Sequence, residues 1–291
     1  MNAEVHVISK NAFTQNWEGN PHIHKVWSYE DQQANNFEGL KKDGFDRVVD
    51  MHVNFRSRSI ARQLGVNRLT FDKLNVEKWL KVNLRMDWLP DLHLVDRYFN
   101  ALKTWGVSDD GQGLEYHNIS PYTGELPEKF VVLVLGAAHA TKMIPKEKIL
   151  EIVENRTRPV VLLGGPKEEE LGRQITEAAD GEVINLAGKT SIAESADIIR
   201  RSEHIIAPDT GMMHIAAALQ RPISVVWGNT VPEFGMYPHY GSGSDQKWSS
   251  HQVGVGCRPC SKIGYGKCPK GHFKCMMGQD ATKIWESVSA D

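Results

Sequence analysis

The feature that most constrains the fold is the alternation of short apolar runs with amphipathic segments between residues 130 and 227. Phe130–Leu135 (FVVLVL) is a continuous apolar run, as a parallel strand buried on both faces requires. Similar runs begin at Pro159, Val183, His204 and Pro222, and segments with helical spacing separate them. Strands that alternate with helices in this way predict βαβ units and a doubly wound parallel sheet, with ligands at its carboxyl edge.

Length and composition predict a soluble globular protein of two domains. The chain has 291 residues, of which 41% are hydrophobic and 24% charged, and roughly 100–200 residues make one domain. A formal net charge of −2 gives no overall field for nucleic acid. No run approaches the ~18 apolar residues of a membrane helix, and Met1–Val7 lacks the basic start of a signal peptide. We therefore expect a cytoplasmic protein.

The first half has weaker patterns of the same kind. Ala3–Ser9 is typical of a buried strand, and Phe45–Val53 and Val66–Phe71 are typical of further strands. Asn75–Arg85 is basic and aromatic, and His93–Trp105 has apolar residues at helical spacing. Strands and helices therefore alternate here as well.

A stretch rich in Gly, Asp, Pro and Ser separates the two halves. Residues 106–128 show no sustained period, which is typical of a linker between domains. The sequence predicts one Rossmann-like domain over residues 1–123 and a second over residues 124–291, which contains a cysteine-rich segment at 257–275.

The sharpest candidate site follows the strand that begins at His204. Asp209-Thr210-Gly211 opens a helix, and the free N–H groups of a helix's first turn bind anions. Gly211 permits close approach of a ligand, and His214, one turn later, leans back toward the helix start. The alternative is that Asp209 or Thr210 merely caps the helix.

Two other loops are predicted at the same edge of the sheet. Gly136–Thr141 ends at Lys142, which places a cation beside the anion site. Gly164–Glu170 places carboxylates at the start of a helix, where one of them can accept hydrogen bonds from a ribose diol. The alternative for at least two of these glutamates is stabilisation of the helix dipole.

Together these segments resemble glycosyltransferase family 9, the ADP-heptose:lipopolysaccharide heptosyltransferases. The resemblance is carried by LGAAHATKMIP (135–145), GGPKEEE (164–170), LAGKTSIAE (186–194) and PDTGMMHIAAAL (208–219). It continues more weakly over 1–129, where VVDMHVNFRSR (48–58) is similar to the family's second conserved strand and loop. The resemblance implies a GT-B fold, in which two Rossmann-like domains face each other across a cleft.

The resemblance also implies roles for individual residues in donor binding. Lys142 is expected to contact the diphosphate or the sugar, Glu168 the ribose, and the Thr190 region the adenine. The diphosphate and donor sugar are expected to be held by Asp209, Thr210, Gly211 and His214. One departure affects the expected donor preference: the family's aromatic residue two positions after the lysine is Ile144 here.

A second departure concerns the general base. Family members open with a strand, a loop that carries Gly-Asp, and a helix; the aspartate of that loop is the proposed base. Nothing in this chain corresponds to that loop, because Ala3 already matches the strand after the helix. We expect an incomplete N-terminal domain: either the start lies upstream of Met1 or the protein is a natural remnant. No catalytic residue is therefore assigned.

All four cysteines fall in one stretch, with the spacing Cys257-x2-Cys260-x7-Cys268-x6-Cys275. This spacing in a cytosolic protein fits a structural zinc site of four thiolates, for which His272 is an alternative ligand. The other interpretations are free thiols in a compact loop and disulfides formed on isolation.

The cysteine-rich segment is also basic. No acidic residue lies between Asp245 and Asp280, and the cations are Lys247, Arg258, Lys262, Lys267, Lys270 and Lys274. With Arg56, Arg58 and Arg62 of the first domain, they would flank the acceptor side of the cleft. A phosphorylated or acidic glycolipid at the inner membrane surface suits this charge. A solvated basic face is the other interpretation.

The resemblance implies an inverting enzyme that transfers heptose, or a related sugar, from ADP-heptose to a lipopolysaccharide core or another surface glycan. It implies no metal for catalysis. The expected partners are the nucleotide-diphosphate sugar and a glycolipid acceptor, with peripheral membrane contact and no nucleic acid. One alternative is a catalytically impaired nucleotide-sugar binder. Another is a different GT-B activity, such as a hexosyltransferase or an epimerase.

Overall fold

The computed structural model describes residues 3–242 and 244–288, which fall into two compact units. The first unit comprises Met1–Asn75 and Leu92–Asp110, and the second comprises Val76–Asp91 and Gly111–Asp291. The domain boundary expected between residues 123 and 124 stays a prediction. In the structure, residues 76–91 and 111–123 group with the second unit. Among the described helices, none is long and apolar enough to cross a bilayer.

The first unit contains two separate pairs of parallel strands, β1–β2 and β3–β4. Its elements are β1 (His6–Ser9), α1 (Asn11–Thr14), β2 (Lys25–Ser28), α2 (Tyr29–Ala34), α3 (Glu38–Asp43), β3 (Arg47–Asp50), α4 (Phe55–Leu64) and β4 (Asn67–Thr70). Helix α5 (Asn75–Leu84) begins where the first unit is interrupted, and α6 (Leu94–Leu102) follows that interruption. A short 3-10 turn, Lys103–Trp105, ends the predicted helical stretch.

The core of the first unit is small and differs from the sequence prediction in one respect. Trp27, Phe37, Leu40 and Ile60 form a buried cluster. The strand expected over residues 3–9 is present as β1, but the prediction that it is buried was wrong, because all four of its residues are half-buried. Strand β1 pairs with β2 through a register that sets Val7 beside Val26.

The second unit is built on one parallel sheet. Its remaining elements are β5 (Val131–Val134), α7 (Lys146–Glu154), β6 (Val160–Leu163), α8 (Glu169–Ala178), β7 (Val183–Asn185), α9 (Ile192–Arg201), β8 (His204–Pro208), α10 (Gly211–Ala218), β9 (Ile223–Val226), β10 (Trp248–His251), α11 (Lys274–Met277) and α12 (Ala281–Glu286). Within the described residues, six strands form this sheet in the order β7-β6-β5-β8-β9-β10. The predicted doubly wound parallel sheet is confirmed.

The strand order contains a topological switch point between β5 and β8. From β5 the chain moves outward through β6 and β7, then returns to the other side of β5 and continues through β8, β9 and β10. The loops that follow β5 and β8 therefore leave the carboxyl edge in opposite directions and open a crevice between them. In open α/β sheets this crevice is the usual place for a ligand.

Two apolar clusters cover the two faces of the sheet. Val131 and Leu133 of β5 belong to one cluster, which also contains Ile149 of α7 and Ile284 of α12. The alternate residues Val132 and Val134 belong to the other cluster, which includes side chains of α9 and α10. All four β5 residues are at most 1% exposed, as expected for a strand covered by helices on both faces.

Candidate functional site

The candidate site is organised around an ion pair at the switch point. The Nζ atom of Lys142 lies 2.6 Å from Oδ2 of Asp209, and the two side chains are 12% and 7% exposed. Lys142 ends a short 3-10 turn (Ala140–Lys142) in the loop after β5, whereas Asp209 directly follows β8. Because β5 and β8 are neighbours in the sheet, these two loops meet at its carboxyl edge.

The loop after β9 completes the surroundings of Asp209. The hydroxyl of Thr230 donates a hydrogen bond of 2.8 Å to Oδ2 of Asp209. Its neighbour Asn229 is 1% exposed, yet neither polar atom of its side-chain amide has a partner among the described residues. A buried amide in this state is the kind of group that a ligand or water satisfies. Neither residue was predicted from the sequence, although both follow the predicted strand that ends at Trp227.

The structure does not support the alternative in which Asp209 or Thr210 merely caps helix α10. Thr210 is at the N-cap position, but its side chain makes no capping hydrogen bond to the described residues. The carboxylate of Asp209 is engaged by Lys142 and Thr230. A Cβ atom at Gly211 would meet no described atom within 4 Å, so the first turn of α10 faces open space. The N–H groups of a helix's first turn have no partner within the helix, so they can bind an anion at such an opening.

His214 is within electrostatic reach of the ion pair. Burial lowers the pKa of His214; the carboxylate of Asp209 opposes this effect, and the ammonium group of Lys142 adds to it. With a pKa below the ordinary value of about 6.5, the imidazole is neutral near neutral pH. A neutral ring can still donate one hydrogen bond to a phosphate oxygen, and an adjacent anion would favour its protonation.

Glu168 lies at the neighbouring strand ends, after β6. Its Oε2 atom accepts a 2.8 Å hydrogen bond from the backbone N–H of Gly165. A Cβ atom at Gly136 would lie only 3.0 Å from the same oxygen, so the glycine in the loop after β5 leaves room for the carboxylate. The structure thus brings Glu168 against the loop that carries Lys142, on the same edge of the sheet.

The other two glutamates of this loop differ from Glu168 in exposure, and the structure pairs Glu170 within its own helix. Two oxygens of Glu170 accept hydrogen bonds from Arg173, and these bonds lower the pKa of Glu170 to about 2. Glu169 is exposed in the first turn of α8. Stabilisation of the helix dipole therefore fits Glu169 and Glu170, and Glu168 remains the candidate for ribose binding.

Thr190 lies just before α9, in the loop after β7. Its hydroxyl is 2.8 Å from that of Ser195, and the predicted capping box between Ser191 and Glu194 is present. Ile144, the departure from the family pattern, is 1% exposed and belongs to the apolar core. This position therefore contributes to packing of the second unit.

The acceptor-side candidates Arg56 and Arg58 lie in α4 of the first unit and are exposed. The guanidinium of Arg56 lies over the ring of Tyr29, 5.9 Å from its centroid. Arg58 instead lines a concave surface with Arg62 and Arg68. The two arginines therefore have different surroundings within this unit.

Asp50, at the end of β3, fixes the loop that leads into α4. Its carboxylate accepts hydrogen bonds from the N–H of Val53 (2.7 Å), the hydroxyl of Ser57 (2.9 Å) and Nη1 of Arg68 (3.0 Å). Burial raises the pKa of Asp50, but these hydrogen bonds and the charge of Arg68 outweigh burial and hold it below its usual value. The carboxylate thus stays ionised while it positions the helix that carries the arginines.

The four cysteines are free thiols that line one small pocket together with His272. Burial raises the pKa of Cys275 to about 11, and the neighbouring Cys260 acts in the same direction. The Sγ atom of Cys257 is 3.7 Å from Nε2 of His272. Among the described residues, no three of these ligand atoms lie within 4.8 Å of one another. A metal would therefore require the thiols to turn toward the centre of the pocket.

The cysteine-rich segment is attached to the loop that carries Lys142. The backbone N–H of Thr141 donates to the carbonyl of Tyr265 (3.1 Å), and the N–H of Tyr265 donates to the hydroxyl of Thr141 (2.8 Å). A Cβ atom at Gly228 would lie 2.5 Å from the carbonyl oxygen of Thr141, so the loop after β9 also packs closely against Thr141. Three loops thus meet at Thr141.

The second unit therefore combines groups suited to a phosphorylated ligand. A lysine, an imidazole and the open start of a helix converge at the switch point, and a carboxylate lies at the next strand end. The ammonium group of the lysine and the N–H donors of the imidazole and the helix suit phosphate oxygens, and the carboxylate suits a diol.

Comparison with known proteins agrees with this chemistry. Residues 34–262 match the family model described as glycosyltransferase family 9 (heptosyltransferase). A 91-residue stretch is 36% identical to lipooligosaccharide heptosyltransferase 2 of Haemophilus influenzae and covers 30% of this chain and 26% of that relative. A similar match covers 24% of lipopolysaccharide heptosyltransferase 2 of Salmonella typhimurium. These matches span about a quarter of the length of the curated relatives.

Two solved structures are similar over most of the chain. The Escherichia coli ADP-heptose LPS heptosyltransferase II superposes with a TM-score of 0.70 at 18% identity, covering 99% of this chain and 89% of that one. The E. coli heptosyltransferase WaaC with ADP gives a TM-score of 0.65 at 19% identity, covering 98% and 89%. At this level of identity the similarity establishes the fold.

Proposed function

The chain belongs to glycosyltransferase family 9, and on that premise we propose that it transfers heptose, or a related sugar, from ADP-heptose to a lipopolysaccharide core or another surface glycan. Its fold is the α/β GT-B fold with parallel sheets, as expected from the sequence. We place the reaction in the cytoplasm, with an acidic glycolipid as the acceptor. The mechanism we propose inverts the anomeric centre and needs no metal.

The observation that carries the proposal is the ion pair between Lys142 and Asp209 beside the open start of α10. In the proposed complex, the diphosphate lies at this helix start, and Lys142 and His214 contact its oxygens. The leaving diphosphate gains negative charge as the glycosidic bond breaks, and preorganised donors stabilise that charge. Thr210 and Gly211 contribute the first N–H groups of the helix.

The remaining donor contacts follow from the neighbouring strand ends. Glu168 would accept hydrogen bonds from the ribose hydroxyls, and the loop around Thr190 would border the adenine. Arg56 and Arg58 of the first unit would bind acidic groups of the acceptor. We assign no residue as the general base that deprotonates the acceptor hydroxyl.

Titration calorimetry with ADP-heptose tests the donor assignment. We expect a dissociation constant in the micromolar range, as is typical of enzyme substrates, and at least about tenfold weaker binding of UDP-glucose. Equal or tighter binding of UDP-glucose would favour the other GT-B activity, a hexosyltransferase or an epimerase. Absence of binding by a sample with a cooperative melting transition would remove the donor site as proposed.

Turnover distinguishes a transferase from a nucleotide-sugar binder that has lost its catalytic group. ADP release from bound ADP-heptose should accelerate when a lipopolysaccharide core acceptor is added. Tight binding of ADP-heptose with no acceptor-dependent release would favour the binder, since general-base catalysis alone contributes about 10²–10⁴-fold to rate.

We also propose that Cys257, Cys260, Cys268 and Cys275 hold a structural zinc ion, with His272 as the alternative fourth ligand. Residues 252–273 contain no helix or strand in the part of the chain that is described, and irregular segments of this length are uncommon in compact domains unless they have a functional role. Four thiols around one pocket can supply a cross-link. Binding would release protons, since the thiols must ionise to coordinate the metal.

Elemental analysis of protein purified without chelator or affinity metal tests this proposal. We expect about one zinc ion per chain, the stoichiometry of a four-thiolate site. The Cys268→Ser variant should lose most of the metal, whereas Ser261→Ala, which alters the same segment without removing a thiol, should keep it. Metal-free protein with the same melting temperature before and after added zinc would contradict the proposal.

A further inference from the structure

The start of the first unit gathers two histidines and a glutamate that the proposed transfer reaction does not use. Glu4 precedes β1, His6 is the first residue of β1, and His24 directly precedes β2. One nitrogen of each imidazole and one oxygen of the carboxylate lie within 4.8 Å of one another. No other three His, Cys, Asp or Glu side chains of the described chain have ligand atoms this close together. These three residues are therefore the candidate metal ligands of the first unit.

The pairing of β1 with β2 brings the two histidines together although they are distant in sequence. The strands are parallel, with His6 opposite Lys25. The backbone N–H of His24 donates a 2.8 Å hydrogen bond to the carbonyl of Val5, which extends the pairing toward the strand starts. The rings of His6 and His24 stack with their centroids 5.1 Å apart and their planes at 21°. The strand register therefore places both imidazoles at one end of the strand pair.

The cluster is open to solvent on one side, and its ligand atoms can close on an ion. Glu4 and His24 are exposed, whereas the side chain of His6 is only 11% exposed. Bonds of about 2.0–2.2 Å at tetrahedral angles hold neighbouring ligand atoms roughly 3.4 Å apart, so the cluster must contract by about 1 Å. The two exposed side chains can supply this movement by changing rotamer. The open side leaves a fourth position for water.

The ring of His6 accepts a hydrogen bond that metal binding must break. The indole N–H of Trp27 donates to Nδ1 of His6 over 3.0 Å. Coordination through Nδ1 would displace Trp27 directly. Coordination through Nε2 would move the ring proton to Nδ1, which then donates toward Asp43, whose Oδ2 lies 3.9 Å away. A carboxylate in that place is the usual outer partner of a metal-binding histidine.

We propose that Glu4, His6 and His24 bind a zinc ion that joins the starts of β1 and β2. Imidazole nitrogens suit zinc and the neighbouring transition metals, whereas Mg²⁺ and Ca²⁺ take oxygen ligands. Two histidines, one glutamate and a water form an established tetrahedral zinc site. The ion would cross-link two strands of a unit whose buried cluster is small, so its binding should raise the melting temperature of this unit.

This site is independent of the donor site and of the cysteine-rich segment. Its three ligands belong to the first unit, whereas Lys142, Asp209 and the four cysteines belong to the second. Failure of ADP-heptose binding, or absence of metal from the cysteine pocket, would leave this proposal intact. Loss of the histidine site would likewise leave both of those proposals intact.

Equilibrium dialysis of the untagged full chain against Zn²⁺ tests the proposal. The Cys268→Ser background removes a thiol from the cysteine pocket, so that the ion of the first unit is counted separately. We expect about one zinc ion per chain in this background. Adding His24→Ala or Glu4→Gln should weaken zinc binding about a hundredfold or more, since even loss of an outer partner costs about 10–100-fold. In the unmodified chain, His24→Ala should lower the number of bound ions by one.

The matched controls are His22→Ala and Glu18→Gln, which remove an exposed imidazole and an exposed carboxylate outside the cluster. Both should bind zinc as the parent does, and circular dichroism verifies that all variants are folded. An equal loss of zinc in His22→Ala and His24→Ala would assign the ion to a His-x-His pair and overturn the three-ligand site. Equal binding by His24→Ala and its parent, or no binding by the parent, would overturn it as well.

Tryptophan fluorescence gives a second, spectroscopic test in the same Cys268→Ser background. Zinc should change the fluorescence, because its binding breaks the hydrogen bond between Trp27 and His6. Trp27→Phe should abolish this change and bind zinc at least as tightly as the parent, since it removes the donor that competes for the ring of His6. Zinc binding by the parent without any change in fluorescence would mean that His6 is not a ligand, and the proposed site would be wrong.

Discussion

Replacing Asp209 by alanine is expected to lower the free energy of unfolding of the second unit by about 3–5 kcal/mol. The change leaves the ammonium group of Lys142, which is only 12% exposed, without its counter-ion, and removes the acceptor of the Thr230 hydroxyl. Breaking a buried pair costs more than the pair contributes, since the remaining charge stays desolvated. Chemical denaturation monitored by fluorescence and circular dichroism measures this loss.

The control for Asp209→Ala is a carboxylate whose ion pair is exposed. Glu203 pairs with Arg158 at 3.2 Å, with both side chains more than a third exposed, so Glu203→Ala should cost no more than about 1 kcal/mol. The double variant Lys142→Ala/Asp209→Ala should be more stable than Asp209→Ala alone, because it removes the unpaired charge. A loss below about 1 kcal/mol in Asp209→Ala would show that water solvates Lys142 and that the pair is not buried.

Replacing Lys142 by alanine is expected to weaken binding of ADP by roughly 1–3 kcal/mol, which is about 5- to 150-fold in the dissociation constant. The change removes a cation that is proposed to contact the diphosphate. It also leaves the carboxylate of Asp209 close to the incoming phosphates, where it repels them. Titration calorimetry below the melting temperature of the variant measures the effect. Lys142→Arg keeps the charge and should recover part of the affinity.

Lys283→Ala is the matched control for this experiment. Lys283 also pairs with an aspartate, Asp280 at 3.6 Å, but it is 74% exposed and lies in α12. Its removal should leave the affinity for ADP unchanged. If Lys142→Ala binds ADP as tightly as Lys283→Ala does, the phosphate site is elsewhere, and the role proposed for Lys142 is wrong.

The sheet of the second unit was largely predictable because its strands are apolar on both faces. Runs such as FVVLVL can only be buried, and polar loops with glycine or proline separate them. Strand β10 was not predicted, since its sequence WSSH contains no apolar run and it lies at an edge of the sheet. Strand β2 was missed for a similar reason: KVWS is four residues long and half-buried or exposed except at Trp27.

The site was predictable as a set of loops but not as a set of contacts. Lys142 and Asp209 both follow strands, so the sequence places them on one edge. Their contact depends on β5 lying beside β8, and strand order is not encoded in any local pattern. Asn229 and Thr230 were missed because an amide and a hydroxyl after a strand form no distinctive motif. Their importance emerges only from burial and hydrogen bonding.

The exposure of side chains in the segment around α5 could not be predicted from the sequence either. Its basic and aromatic composition is visible in Asn75–Arg85, but aromatic residues are more often buried than exposed. Only the structure shows that no residue of α5 is buried.

The paired hydrogen bonds between Thr141 and Tyr265 have a mechanical consequence. Tyr265 belongs to the cysteine-rich segment, and Thr141 is the residue before Lys142, so the two cannot shift independently without breaking both bonds. A displacement of the cysteine-rich segment at Tyr265 is therefore transmitted through Thr141 to Lys142. By thermodynamic reciprocity, whatever zinc binding by the cysteine-rich segment does to the affinity for a nucleotide, the nucleotide must do to the affinity for zinc.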